Sequence, residues 1–167
     1  MKHFVFYIVL IVTAISIAGC GTTDCPLNNT VRQVARFYSL DNQLTAIEDT
    51  LVITSRDSIL LNRSTKTTMV SLPLSYNGDV DTLVLSYRPL APATAYTDTI
   101  FVHKTNVPHY ISLDCGTGVF HTITAVEWSH RTPSAQQRYA IDSIAINNNS
   151  VTYDEKENLQ IYLAVHQ

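Results

Sequence analysis

The stretch DTLVLSY, Asp81 to Tyr87, has four relatives elsewhere in the chain: DTLVITS (Asp49 to Ser55), DSILLNR (Asp57 to Arg63), DTIFVHK (Asp98 to Lys104) and DSIAINN (Asp142 to Asn148). Each opens with Asp and a hydroxyl residue and continues with aliphatic or β-branched side chains. Asp is depleted within strands and favoured in turns, where its short side chain bonds nearby backbone N–H groups. The Thr, Val and Ile that follow suit a pleated, half-buried surface. Each copy therefore reads as a turn handing over to a strand, and the class that follows is all-β.

Further extended segments lie between the copies: VRQVARFYSL from Val31, TTMVSLPLS from Thr67, HYISLDC from His109, VFHTITAVEWS from Val119, SVTYD from Ser150 and NLQIYLAV from Asn158. In VFHTITAVEWS, strict alternation puts Val119, His121, Ile123, Ala125 and Glu127 on one face and Phe120, Thr122, Thr124, Val126 and Trp128 on the other. Turn signals at 76–79 (YNGD), 88–95 (RPLAPATA), 106–108 (NVP), 115–118 (CGTG) and 147–149 (NNN) separate the segments. Asn77-Gly78 suits a type I′ hairpin. About nine or ten short strands at this spacing predict an antiparallel β-sandwich of immunoglobulin-like or Greek-key form. The segment from Thr132 to Ala140 offers one helical turn with no apolar face to dock. No βα alternation supports a nucleotide-binding sheet.

The first residues are a separate object. Lys2 and His3 precede an apolar or small run from Phe4 to Ala18, about fifteen residues, short of the roughly 20 that span a bilayer as a helix. This reads as a signal peptide over residues 1–19. Its close, Ile17-Ala18-Gly19-Cys20, resembles the bacterial lipobox, which makes Cys20 the lipid (palmitate) attachment site; an ordinary signal with a chance Cys is the alternative. Residues 20–29 are then a lipidated tether and 30–167 a single domain. Of the three cysteines, Cys25 and Cys115 remain for a disulfide in an oxidising compartment, with two free thiols as the alternative. Charged residues make up 15% of the chain, the net charge is −3, and the 11 basic residues are scattered, which argues against nucleic acid as a partner.

Candidate chemistry is sparse. Asn77, Asp79 and Asp81 have the alternating oxygen spacing of a calcium loop, although Thr82 stands where the turn glycine belongs and Arg88 at the twelfth place. Asp79 and Asp81 also resemble a phosphatase motif whose Thr is misplaced here. His103, His109 and His121, with His130 nearby, are the candidates for a transition metal if a hairpin through residues 105–108 brings the first two together. No nucleophile elbow accompanies the many serines. Tyr87 and Tyr96 flank a Pro-rich loop that could stack a ligand. No cofactor is implied, and no catalytic residue is assigned.

The Asp-Ser/Thr-aliphatic tripeptide resembles the O-glycosylation acceptor of exported Bacteroidetes proteins, with Thr50, Ser58, Thr82, Thr99 and Ser143 at the matching positions. Taken with the lipobox, DSILLNR, MVSLPLS, DTLVLSY, ISLDCG, IDSIAINNNSV and NLQIYL, the chain resembles the small Bacteroidetes lipoproteins of the domain of unknown function 6452 family. That resemblance implies an outer-membrane lipoprotein of the cell envelope with no assigned activity. The expected function is a non-enzymatic binding, scaffolding or assembly module, its partners the membrane through the lipid anchor and an envelope protein or glycan. A periplasmic carrier of a ligand or metal is the alternative, and an envelope hydrolase the second. The residues after Cys20 lack an acidic cluster, which favours the periplasmic face over the cell surface.

Overall fold

In the strand Val80–Arg88, the side chains of Asp81, Leu83, Leu85 and Tyr87 are buried while Thr82, Val84 and Ser86 are half-buried. A period of two is what a strand shows when one face packs on a second layer. The computed structural model of the protein describes residues 30–56, 58–89, 95–113, 115–130 and 138–166. Among them it has ten strands and no helix: β1 (Arg32–Ser39), β2 (Thr50–Ser55), β3 (Ser58–Ser64), β4 (Met69–Pro73), β5 (Val80–Arg88), β6 (Tyr96–Ser112), β7 (Gly116–His130), β8 (Tyr139–Ile146), β9 (Ser150–Val151) and β10 (Glu157–Val165).

They form two sheets, ordered β4-β1-β10-β8 and β3-β2-β5-β6-β7-β9. The all-β, two-sheet architecture expected from the sequence is the one observed. One pairing departs from the antiparallel expectation: β1 and β10 run parallel at the centre of the smaller sheet. The larger sheet contains the local hairpins β2–β3 and β5–β6–β7, whereas β4, β8 and β10 of the smaller sheet are each reached by crossing from the other layer. Its cohesion is therefore non-local. Between the layers, Phe37, Ile141, Leu159, Ile161 and Leu163 meet Leu51, Ile53, Leu83, Leu85, Ile100, Val102 and Ile123, all buried. Burying each such side chain contributes roughly 1.5–3 kcal/mol.

Three expectations about local structure are corrected. Strict alternation along β7 fails because His103 pairs with Ala125 while Lys104 pairs with Ile123, so Thr124 is the extra residue of a bulge. Facing residues switch there: His121 and Ile123 point inward before it, Val126 and Trp128 after it. The segment 106–108 is not a turn, since β6 runs unbroken from Tyr96 to Ser112. Nor is Asn77-Gly78 a hairpin turn. It lies in the connection that carries the chain from β4 in one sheet to β5 in the other, and of the two only Gly78 has positive φ, +82°. That conformation favours glycine over any side-chain-bearing residue.

Two buried polar clusters as candidate functional sites

β6 organises both clusters. Its inward positions read Tyr96, Asp98, Ile100, Val102 and Lys104, all buried, an apolar pair with a polar group on either side. Two polar clusters thus lie at opposite ends of the core.

At one end, Lys104 Nζ donates to the carbonyls of Ser75 at 2.7 Å and Gly78 at 3.0 Å and to Asn106 Oδ1 at 2.9 Å. It lies 3.6 Å from Asp81 Oδ2. Asp81 accepts in turn from the Ser75 amide at 2.9 Å and the Ser75 hydroxyl at 2.5 Å. Asn106 Nδ2 donates to the carbonyls of Tyr76 and Gly78. His121 Nδ1 is 2.8 Å from Asn106 Oδ1, an acceptor, so Nδ1 carries the proton. Burial pushes the His121 pKa down to about 4, with the Lys104 charge adding to the effect and Asp81 opposing it. His121 is therefore neutral at neutral pH. The cluster ties the β4–β5 crossing to the end of the larger sheet, beside a groove of about 220 Å³ whose walls include Arg56, Ser58, Leu60, Pro73 and Ser75.

At the other end, Asp98 accepts from the Ile141 amide at 3.1 Å, the Tyr87 hydroxyl at 3.4 Å and His130 Nδ1 at 2.8 Å. Asp49 accepts from the Tyr96 hydroxyl at 2.8 Å and Arg138 at 3.1 Å. The Tyr96 hydroxyl accepts from the Tyr139 amide, and the Tyr139 hydroxyl from the Glu48 amide. The Tyr87 and Tyr96 rings stack at 5.1 Å. Burial, and then Asp98 and Asp49 respectively, raise the pKa of Tyr87 and Tyr96, which keeps both as neutral donors. An Asp orienting a His is one half of a hydrolytic relay. Here Asp98 also holds a β8 amide from the opposite sheet, which makes it a tie between layers.

A family model described as a family of unknown function, DUF6452, matches residues 43–163. The chain belongs to this family. Both DUF6452 clusters lie inside the matched span, whereas β1 precedes it. No curated protein and no solved structure matches the chain.

Within this DUF6452 fold the residues singled out from the sequence are dispersed. Asp81 turns into the core, whereas Asn77 and Asp79 stay exposed, so the three do not converge on one cation. His103 and His109 lie six residues apart on one continuous strand, about 20 Å. His103 Nε2 faces Glu127 at 3.6 Å, the His109 ring stacks on Phe120 at 4.2 Å, and His121 is buried against Asn106. Among the described residues, no group of three His, Cys, Asp or Glu is placed to hold a metal. Tyr87 and Tyr96 are buried, not displayed.

Of the acceptor-like positions, Ser58 is exposed, while Thr50, Thr82, Thr99 and Ser143 are half-buried. Cys115 is not a free thiol. Cys20 and Cys25, with the signal and tether, lie outside the described residues.

The sequence reading passed over Lys104, Ser75, Asn106 and Asn158. Asn158, the extra residue where β10 steps past β1, accepts from the Val34 amide and donates to the carbonyls of Asn148 and Ser150. A signal existed for the aspartates. Asp49, Asp81 and Asp98 share parity with Leu51, Leu83 and Ile100, which places each on the buried face.

Proposed function

We propose that this DUF6452 protein is a lipid-anchored cell-envelope module that binds or scaffolds an envelope protein or glycan and performs no catalysis. One observation carries the non-catalytic part. Asp49, Asp81 and Asp98 are each engaged by two or three donors that tie strands or layers together. A carboxylate so engaged serves the fold. The lipobox-like Ile17-Ala18-Gly19-Cys20 supports anchoring at Cys20 in the outer membrane, and the lack of an acidic cluster just after it favours the periplasmic face. Cys25 is the proposed disulfide partner of Cys115, and Ser58 the acceptor-like position best exposed to take a glycan.

Chemical cross-linking in intact cells, followed by purification and mass spectrometry, tests the reading. A defined envelope protein or glycan should co-purify with the native chain and be lost with Cys20→Ser. An ester- or glycan-cleaving activity that disappears in His130→Gln would replace this reading with an enzymatic one.

A further inference from the structure

The hairpin β6–β7 is longer than the sheet that holds it. β5 stops pairing with β6 at His103, and β9 pairs with β7 only at His121 and Thr122. Beyond Asn106 the two strands pair with each other as far as Ser112 and Gly116, an arm of about 20 Å. Its surface is apolar. Val107 is 47% exposed, Tyr110 60% and Leu113, at the tip, 92%. Between Lys104 and Glu127 the sequence carries one formally charged residue, Asp114.

Two features support placing this arm towards the proposed anchor. The described chain starts at Thr30, whose hydroxyl meets the Tyr76 hydroxyl at 3.3 Å, and the Tyr76 carbonyl accepts from Asn106 at the base of the arm. Cys115, at the arm's tip, is a bonded cysteine. Five residue steps from Thr30 back to Cys25 span at most about 17 Å, and a disulfide adds about 6 Å between Cα atoms. That reach matches the length of the arm. Were Cys25 the partner of Cys115, as proposed above, five more steps would lead to Cys20, which would keep the proposed lipid attachment within about 25 Å of the tip.

We propose that Tyr110 and Leu113 at the end of the β6–β7 hairpin are a membrane-contact surface, resting in the headgroup region of the bilayer that holds the lipid on Cys20. This rests on the anchoring reading above. Tyrosine favours that depth because its ring is apolar and its hydroxyl stays wet. With one formal charge between Lys104 and Glu127, contact depends on apolar area and not on anionic lipid. The sandwich would then stand with the Asp81–Lys104 cluster towards the membrane and the Asp98 cluster away from it.

The mature chain, its acylation verified by intact mass, is reconstituted in phosphatidylcholine vesicles carrying lipids brominated near the headgroup. Tyr110→Trp is compared with Leu44→Trp, which lies beside Tyr38 at the far end of β1; native Trp128 is the common background. Emission added by Tyr110→Trp should fall roughly twofold with the brominated lipid and resist high salt, whereas that of Leu44→Trp should not change. Adding Leu113→Asp, at a position too exposed to disturb folding, should relieve the quenching.

An acylated chain that shows no quenching at Tyr110→Trp overturns the contact and leaves anchoring intact. A mass without acyl groups overturns the anchoring itself, and the contact with it. Equal quenching at both positions overturns the upright orientation. A blue-shifted Tyr110→Trp in lipid-free detergent, with dimer mass by sedimentation, would reassign the surface to a second copy of the chain.

Discussion

Lys104 Nζ lies 3.6 Å from the Asp81 carboxylate with neither side chain more than 3% exposed. The two come from adjacent strands of the larger sheet, and what they hold is the crossing to the smaller one. Removing one partner leaves the other charge buried, which typically costs about 3–5 kcal/mol. Lys104→Met and Asp81→Ala are each expected to destabilise by that order. The double variant should cost less than the sum, as measured by urea unfolding in a double-mutant cycle. Additive losses would show that Ser75, and not Lys104, sets the role of Asp81.

His121 gives the stability a pH dependence. Its folded pKa is about 4, below the ordinary value of about 6.5 that the unfolded chain retains. Between these values the unfolded state binds the proton and the folded state does not. Stability is therefore complete above about pH 6.5 and falls as the pH drops towards 4. Urea midpoints for the native chain and His121→Gln should converge as the pH falls through this window. Parallel curves would remove His121 as the cause.

Asp98 spans the layers through the Ile141 amide. Asp98→Ala strands that amide, the Tyr87 hydroxyl and His130 together. The amide and the Tyr87 hydroxyl are buried, and each unpaired buried donor costs about 1–3 kcal/mol, so a loss of at least about 2 kcal/mol is expected, with faster hydrogen exchange at the Ile141 amide. Asp98→Asn, which keeps an acceptor oxygen, should recover part of the loss. Unchanged exchange at Ile141 would contradict the inter-sheet role.

Gly118 is kept small by a neighbour. A Cβ there would lie 2.5 Å from the Tyr153 hydroxyl and 3.7 Å from the ring carbon bearing it. Gly118→Ala should destabilise by about 1–3 kcal/mol through overpacking. Tyr153→Phe removes the clashing oxygen, so the double variant is expected to regain most of the loss by thermal denaturation. A Gly118→Ala protein as stable as its parent would show that Tyr153 moves aside freely.

The extended segments were legible because period-two patterning and β-branched content act locally, and the β strands lie where those patterns are. Faces were less legible. Thr124 opposes no residue of β6, so the one-residue bulge inverts the inward set of β7 at a point no local pattern marks. Asp142 has a similar position: Tyr162 pairs with Ser143 and Leu163 with Ile141, which leaves Asp142 on a bulge and exposed. One motif therefore has different fates, buried at Asp49, Asp81 and Asp98 and exposed at Asp142.

By itself the sequence determined the class, the strands and the family resemblance, because alternation and turn chemistry are properties of neighbouring residues. Only the tertiary structure decided that Asp81 and Asp98 are core ties, not turn residues. Their partners, Ser75 and Lys104 for one and Tyr87, His130 and the Ile141 amide for the other, lie on other strands or crossings. A buried carboxylate is tolerable only where such partners converge. That convergence is a property of the two packed sheets, which no heptapeptide contains.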